Sequence, residues 1–574
     1  MTSKWINPVL LVDFYKTIHH KCYAPNMTKL VSYWTPRKSR LEGVDEVVMF
    51  GLQYVIQKYL IDTFNEDFFD EPKEVIINNY KQIIAATMGE ENADTEHIEK
   101  LHDLGYLPIE IKALPEGSLA PIKVPMFEIT NTHPDFAWLV NYLETLISSN
   151  IWFPMTSATI GHEFRKIVNQ YYDVTVDGGL PQKACGNFDM RGMTSTESAI
   201  VNGACHLLSF SSTATIPSIP FLQQYYNGDL KEIGRGTPSL EHSVVCSYGD
   251  SLEQEFECYR HIIEDVYPNG IISMVSDSYD YWNVLTDMLP RLKSSILSRD
   301  GKIVIRPDSG VPADIICGTK TVYDLDLQDK EEYKLYFADK TYYQWESGEI
   351  GCDESQYYYY QVDNKIYKLT NFVPNYVSTG GYNIVDEIFS DCTFIEECTK
   401  EFTVEEKGSI EILGEVFGYT INSKGYKVLN PKIGLIYGDG ITLERCQDIC
   451  ERLLVQGWAT NNVIFGVGSF SYQYATRDTL GFALKATHSI VDGKERKIQK
   501  HPKTDNDSFK KSQKGMCIVY KDNSNKIKFV DGLTIQQQKN YEDENLLKPV
   551  FKNGKMLIQQ DLRDIRDRLN KGNF

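Results

Sequence analysis

None of the twelve cysteines in this chain is paired in a C-x-x-C spacing. A zinc ribbon or a thioredoxin-type redox motif is therefore not expected. Cys446 and Cys450, one turn apart on an expected helix, read as core thiols, and the scatter of the rest fits a reduced cytoplasm. No stretch approaches the roughly 20 consecutive apolar residues that span a bilayer. The opening MTSKWINPVLLVDFYK has neither the basic start nor the long apolar run of a secretory leader, so no membrane role is expected. A basic excess is missing too. Lys and Arg number 59 against 79 Asp and Glu, a net charge of -20, which argues against a general nucleic-acid binder. A local basic pocket for a small anion remains compatible with that balance.

What is present is a 574-residue chain of ordinary globular composition, too long for one core, so two or three lobes are expected. Residues 1–154 mix helical periodicity (VVMFGLQYVIQKYLIDTF) with strands broken by proline and glycine (LPIEIKALPEGSLAPIKVPMFEITNT). Between 155 and 485 short apolar runs alternate with helical segments, the pattern of βα units around a parallel sheet or barrel. Residues 318–407 interrupt it. YKLYFADKTYYQW and YYYYQVDNKIYKL each alternate around a two-residue turn, DK or DN, and read as tyrosine-rich hairpins inserted into the α/β domain. Residues 486–574 are expected to return to the first lobe.

Four expected strands end in polar turns: IISMVSDSYD with Ser276, Asp277 and Asp280; IVIRPDSG with Arg306 and Asp308; LIYGDGIT with Asp439; and VIFGVGSFSYQ with Gly466 and Gly468. In parallel α/β folds the loops after the strands gather at one face, and ligands bind there. Glycines after a strand admit a phosphate to the backbone N–H groups. Arg477, Lys485, Lys500, Lys503, Lys510 and Lys511 add local positive charge, although residues 494–514 alone would suit a solvated loop. Asp277, Asp308 and Asp439 are each compatible with a turn or cap role. Together they also suit sugar hydroxyls or Mg²⁺ carrying a pyrophosphate. His242 in LEHSVVCS, and Phe188 with Arg191 in NFDMRGMTSTESA, are further candidates whose bland alternative is packing.

These motifs, with VDFYKTIHHKCY and FGVGSFSYQYATRDTLGFALKAT, occur in an order that resembles the nicotinate/nicotinamide phosphoribosyltransferase family over most of the chain outside 318–407. The resemblance implies a type II phosphoribosyltransferase fold, an irregular parallel α/β barrel with a second, β-containing lobe. It also implies a homodimer with active sites shared between subunits. By motif, Phe188 and the partner subunit's Tyr15 would sandwich the pyridine ring, and Arg306 would contact its carbonyl. Asp308 would take ribose hydroxyls with Asp439 alongside. Arg191 and Asp277 would belong to the pyrophosphate region. Gly468 and Ser469 would cradle the 5′-phosphate, with Arg37, Arg477, Lys485, Lys500 and Lys510 completing the anion site. His242 would be phosphorylated by ATP, an activating co-substrate. The implied reaction transfers phosphoribose from phosphoribosyl pyrophosphate to nicotinamide, with Mg²⁺ on the pyrophosphate.

The sequence departs from the family pattern at three places. Ala214 stands where the amide-specific enzymes usually have an aspartate, which leaves nicotinic acid as an alternative base. Gly236 and Thr237 replace the usual serine and valine before the histidine motif. The insertion lies between two active-site strands, which leaves ADP-ribose pyrophosphate as an alternative donor. A non-enzymatic binding module is disfavoured because His242, Asp308 and the basic set are all present. A sugar-processing barrel using Asp308 and Asp439 as an acid/base pair would have no need of Phe188, Tyr15 or the lysine-rich loop.

Overall fold

The computed structural model describes residues 7–571 apart from 320, 325–333, 339–356, 363–364, 371–393, 399–400, 439 and 501–510. Six parallel strands form the central sheet: β1 (Cys185–Asn187), β2 (Ser212–Thr213), β3 (Gly270–Val275), β4 (Gly301–Arg306), β5 (Ile433–Tyr437) and β6 (Val463–Val467). Their spatial order is β2-β1-β6-β5-β4-β3. Runs such as Ile433–Tyr437 are buried along their whole length, as befits parallel strands covered on both faces. Residues 235–239 close the gap between β2 and β3. Arg235 bridges Ser212 and Ser239 bridges Ser273, both in parallel sense. The Thr213 N–H donates to Arg235 O (3.1 Å), and the Ser273 N–H donates to Pro238 O (2.8 Å). The result is the expected irregular α/β barrel, with an extended segment as its last stave.

The second lobe is built on a seven-stranded antiparallel sheet. Met27–Thr35 lies between Ala483–Val491 and Phe127–Asn131; Ile109–Ala113 and Lys548–Lys552 follow beyond. Chain start and chain end thus share one sheet, and Leu480, Met516, Val519, Phe551 and Leu569 join the core of residues 9–158.

Two boundaries differ from the sequence reading. Helix Glu144–Thr175 runs through residue 154, with Pro154 inside it. Its first half (Leu146, Ile147, Ile151, Met155) packs into the lobe core and its second half (Ile160, Phe164, Val168) into the barrel core. Proline usually stops a helix; here burial against two cores carries it across. Residues 201–233, expected in the barrel domain, pack through Val201, Leu208, Leu222, Tyr226 and Ile233 against the lobe.

Between 321 and 398 five strands form one antiparallel sheet in sequential order. Tyr357–Val362 pairs antiparallel with Lys365–Thr370, Val362 opposite Lys365; the DN residues between them lie outside the described residues. The hairpin expected at DK falls on residues 339–345, which lie outside the described residues. Lys334–Ala338 pairs with Thr321–Asp324 on one edge and with Tyr357–Val362 on the other. The insertion leaves and re-enters the barrel at one point, where the Thr319 N–H donates to Glu405 O (3.0 Å). The backbones touch there: a Cβ on Gly408 would sit 2.1 Å from Gly318 N. Cys446 and Cys450 are buried free thiols on helix Leu443–Val455.

Candidate active site

The chain leaves each barrel strand into a polar turn, and these turns meet. After β3, Asp277 accepts from the Asp308 backbone N–H after β4 (3.0 Å). His242, which opens a short helix after the closing stave, turns its Nε2 toward both carboxylates, 3.8 Å from Asp277 Oδ1 and 3.8 Å from Asp308 Oδ2. Its Nδ1 lies 3.0 Å from Ser278 Oγ. Arg306, at the end of β4, donates from its guanidinium to Leu240 O (2.7 Å) and lies 3.4 Å from Asp308 Oδ1. The cation and the anion of IRPDSG thus brace each other and face one histidine. Gly438, after β5, makes room for this. A Cβ there would fall 1.7 Å from Asp308 Oδ1.

His242 is 47 % exposed at its side chain and Asp277 only 5 %. Asp277 Oδ1 is buried and has no hydrogen-bond partner among the described residues. His242, Asp277 and Asp308 each offer a ligand atom, all within 4.8 Å of one another.

The β1 and β2 ends form the next part of the rim. The Phe188 N–H donates to Val467 O (3.0 Å), which ties that half-buried ring to the end of β6. Beneath it Asp189 is fully buried and accepts from Thr215 Oγ1 (2.9 Å) and from Asn202 Nδ2. Burial pushes the Asp189 carboxyl up, against the pull of those donors. Ala214 is exposed, its N–H donating to Asn187 O (2.8 Å). Arg191 is exposed. Its loop is tied to the turn after β6, where the Thr194 N–H donates to Gln473 Oε1 (3.3 Å). Gly468 is buried and Ser469 half-buried on that turn.

A second group lies on the sheet lobe. Tyr15 and Arg477 line an open cleft of about 410 Å³ with Asp13, Lys16, Glu144 and Trp152, and no residue of the strand-end group lines it. Tyr15 is 58 % exposed. Lys485 Nζ lies 3.3 Å from Glu144 Oε1. Burial lowers the pKa of Lys485; Glu144 opposes the shift, and the neighbouring Arg37 and Lys500 add to it. Arg37 donates from Nε to Gly481 O (2.9 Å). The predicted residues therefore form two sets, one on the barrel rim and one on the lobe. Asp439 and Lys510 lie outside the described residues.

Sequence reasoning did not single out Ser278, Asn187, Asp189 or Thr215. Ser278, Asn187 and Asp189 sit inside quoted motifs, and the signal available was a polar residue beside each chosen one. Thr215 joins Asn187 and Asp189 only through the fold.

Comparison with known proteins gives concordant matches. The profile of the nicotinate phosphoribosyltransferase (NAPRTase) family matches residues 184–344 and 395–555. That of the nicotinamide phosphoribosyltransferase N-terminal domain matches residues 7–111. A nicotinamide phosphoribosyltransferase of Acinetobacter baylyi is 36 % identical, covering 98 % of this chain and 97 % of its own. One of Mycoplasma pneumoniae is 28 % identical over 87 % of this chain and 92 % of its own. The fold is similar to the crystal structure of nicotinate-nucleotide pyrophosphorylase from Pyrococcus furiosus (TM-score 0.52, 13 % identity, 100 % of both chains). It is also similar to that of human nicotinic acid phosphoribosyltransferase (TM-score 0.50, 14 % identity, 98 % of this chain and 93 % of that one). With the profile matching more than half of its residues and a relative similar from end to end, the chain belongs to the nicotinate phosphoribosyltransferase family and is a pentosyltransferase.

Proposed function

We propose that the protein transfers phosphoribose from phosphoribosyl pyrophosphate to the ring nitrogen of nicotinamide, giving nicotinamide mononucleotide and pyrophosphate in the cytoplasm. The observation that carries this reading is the meeting of His242, Asp277, Arg306 and Asp308 at adjacent strand ends. Asp308 holds ribose hydroxyls. Its carboxylate, with that of Asp277, stabilises the positive charge that develops on the sugar as the C–O bond to pyrophosphate breaks. Arg306 donates to the carbonyl of the base, and Phe188 stacks on a ring that becomes cationic as it is alkylated. Positioning of base against anomeric carbon supplies most of the remaining acceleration.

Mg²⁺ fits the strand-end group, because Asp277 Oδ1 is a buried carboxylate oxygen without a hydrogen bond among the described residues and Asp308 is beside it. Asp277 and Asp308 would hold the ion, which when bound neutralises the leaving pyrophosphate. His242 has an exposed ring with its Nδ1 fixed by Ser278, so Nε2 is the nitrogen presented to the γ-phosphate of ATP. Phosphorylation there would enhance use of the sugar donor.

The lobe set completes the site in trans. Tyr15 and Arg477 line a cleft separate from the barrel rim, Lys485 pairs with Glu144 of that cleft beside Arg37 and Lys500, and this set would meet the rim of a second copy in a homodimer. Ala214 favours a second reading, nicotinic acid as the base. The neighbouring Asp189 is fully buried and held by Asn202 and Thr215, so that carboxylate does not replace the missing acceptor.

A mass-resolved product assay with Mg²⁺ and ATP, crossing nicotinamide and nicotinic acid with phosphoribosyl pyrophosphate and ADP-ribose pyrophosphate, tests the reading. Nicotinamide mononucleotide is the expected product, and His242→Ala should remove ATP stimulation while leaving basal transfer. Nicotinate mononucleotide alone, or a dinucleotide formed directly from the larger donor, would replace the proposal.

A further inference from the structure

The stretch VDFYKTIHHKCY carries Tyr15, yet its two histidines have no part in the proposed reaction. His20 leads away from the barrel rim to a second cluster in the lobe. Its Nδ1 lies 2.9 Å from Thr17 O, and since a carbonyl only accepts, Nδ1 carries the hydrogen. In the neutral ring Nε2 is then a bare lone pair, and it faces Asp94 Oδ2 at 3.4 Å. Two acceptors facing each other need a cation between or on them. The spacing is long for a charge-assisted hydrogen bond, usually about 2.7–2.9 Å. It matches the edge of a tetrahedron around an ion about 2.0–2.1 Å from each ligand.

The third member is His97, on helix Glu96–Leu104. It is 7 % exposed, and neither ring nitrogen has a hydrogen-bond partner among the described residues. Its ring stacks on His20 with centroids 3.6 Å apart, and Trp138 and Tyr80 wall it in edge-on. A buried imidazole without any partner is expensive, and a partner is what the site lacks. Ligand atoms of His20, Asp94 and His97 all lie within 4.8 Å of one another. Lys21 Nζ lies 3.2 Å from the same Asp94 oxygen, on a side chain 47 % exposed. It is the cation that a metal would displace into solvent.

We propose that His20, Asp94 and His97 form a binding site for one transition-metal dication of the zinc class, a two-imidazole, one-carboxylate site with water in the fourth position. Binding asks for a tilt of the two stacked rings so that their lone pairs converge. Imidazole ligands favour zinc, cobalt or nickel over magnesium or calcium. The Nδ1–H to carbonyl contact of His20 is the kind of outer hydrogen bond that fixes a metal-ligating tautomer. The ion pins the segment carrying Tyr15 to helix Glu96–Leu104, so its role is to position that segment.

The test uses the full-length protein without a histidine tag, stripped with a chelator. Zn²⁺ is titrated calorimetrically, and Co²⁺ is followed by its visible absorption, which is intense only in tetrahedral sites. One ion per chain is expected, undisturbed by Mg²⁺. His97→Phe keeps the ring stack and removes the nitrogens; Asp94→Asn alters a partly exposed side chain and guards against a folding artefact. Each should weaken Zn²⁺ by more than about tenfold, the loss that follows even from removing an outer partner. His242→Ala, at the barrel rim, should leave this site intact. Equal Zn²⁺ affinity and an unchanged Co²⁺ spectrum in both lobe variants, or loss only in His242→Ala, would overturn the assignment.

Discussion

Ala214→Asp tests the placement of the base most directly. Ala214 is exposed at the end of β2, with its backbone fixed by the bond to Asn187 O, so a longer side chain enters the rim without disturbing the core. The stability change should stay within about 0.5 kcal/mol. A carboxylate here accepts from the carboxamide NH₂ of nicotinamide, and a hydrogen bond to a charged group is worth about 1.5–3 kcal/mol. At about 1.4 kcal/mol per decade, kcat/KM for nicotinamide should rise about 10- to 150-fold. The carboxylate of nicotinic acid, about 5 Å from the new one at an effective dielectric of about 20, is repelled by about 3 kcal/mol. The ratio of kcat/KM values for the two bases should therefore move by about a thousandfold to about twenty-thousandfold toward nicotinamide. Steady-state kinetics with both bases, with a thermal melt as the folding control, give the answer. A ratio that moves by less than about threefold in a folded variant would mean that position 214 does not face the base, and the assigned hydrogen bond would fall with it.

Gly438→Ala places a Cβ 1.7 Å from Asp308 Oδ1 and so displaces that carboxylate. A shift of about 1 Å costs about a hundredfold, so kcat/KM should fall by at least that much while the protein still melts cooperatively. Asp308→Ala should abolish turnover with little effect on folding, and residual activity within a few-fold of the parent would remove Asp308 from the sugar site. Glu116 is buried to 1 % exposure, and burial raises its carboxyl to about 7 although the Gly51 and Gln53 N–H groups donate to it. The folded state holds the proton that the unfolded chain releases near pH 4.5, so this contribution is present at low pH and is lost as pH rises through about 7. The loss amounts to roughly 3 kcal/mol between pH 4.5 and 8. Urea midpoints across that range should show a falling slope that Glu116→Gln flattens.

Much of the barrel was legible because Asp277, Arg306 and Asp308 each follow a buried apolar run. The jump from Ile303–Ile305 to Arg306 and Asp308 marks a strand end before any fold is known. What the jump does not reveal is which strand ends become neighbours. His242 and Ser278 are 36 residues apart and meet only because the stave at 235–239 lies beside β3. The boundary set at 154 rests on a change of pattern along the chain, whereas the helix continues through Pro154 because both of its halves find cores. Alternation in YKLYFADKTYYQW identifies a strand but leaves its partner undetermined, since pairing is set by register and neighbours rather than by period. The cluster of His20, Asp94 and His97 carries no spacing signal, because its members come from two segments that the lobe brings together.

The seam at Gly318 and Gly408 has a consequence for how such a barrel changes over generations. Entry and exit of the inserted sheet share one doorway, with Thr319 hydrogen-bonded to Glu405 and the two glycines in backbone contact. A segment of any length hung from that doorway leaves the register between β4 and β5 untouched, and lengthening it adds closure entropy only logarithmically. The family profile skips residues 345–394, which lie within the segment hung from that doorway. The chain can therefore acquire, trade or discard this module as a cassette, and selection on the module is uncoupled from selection on the catalytic rim.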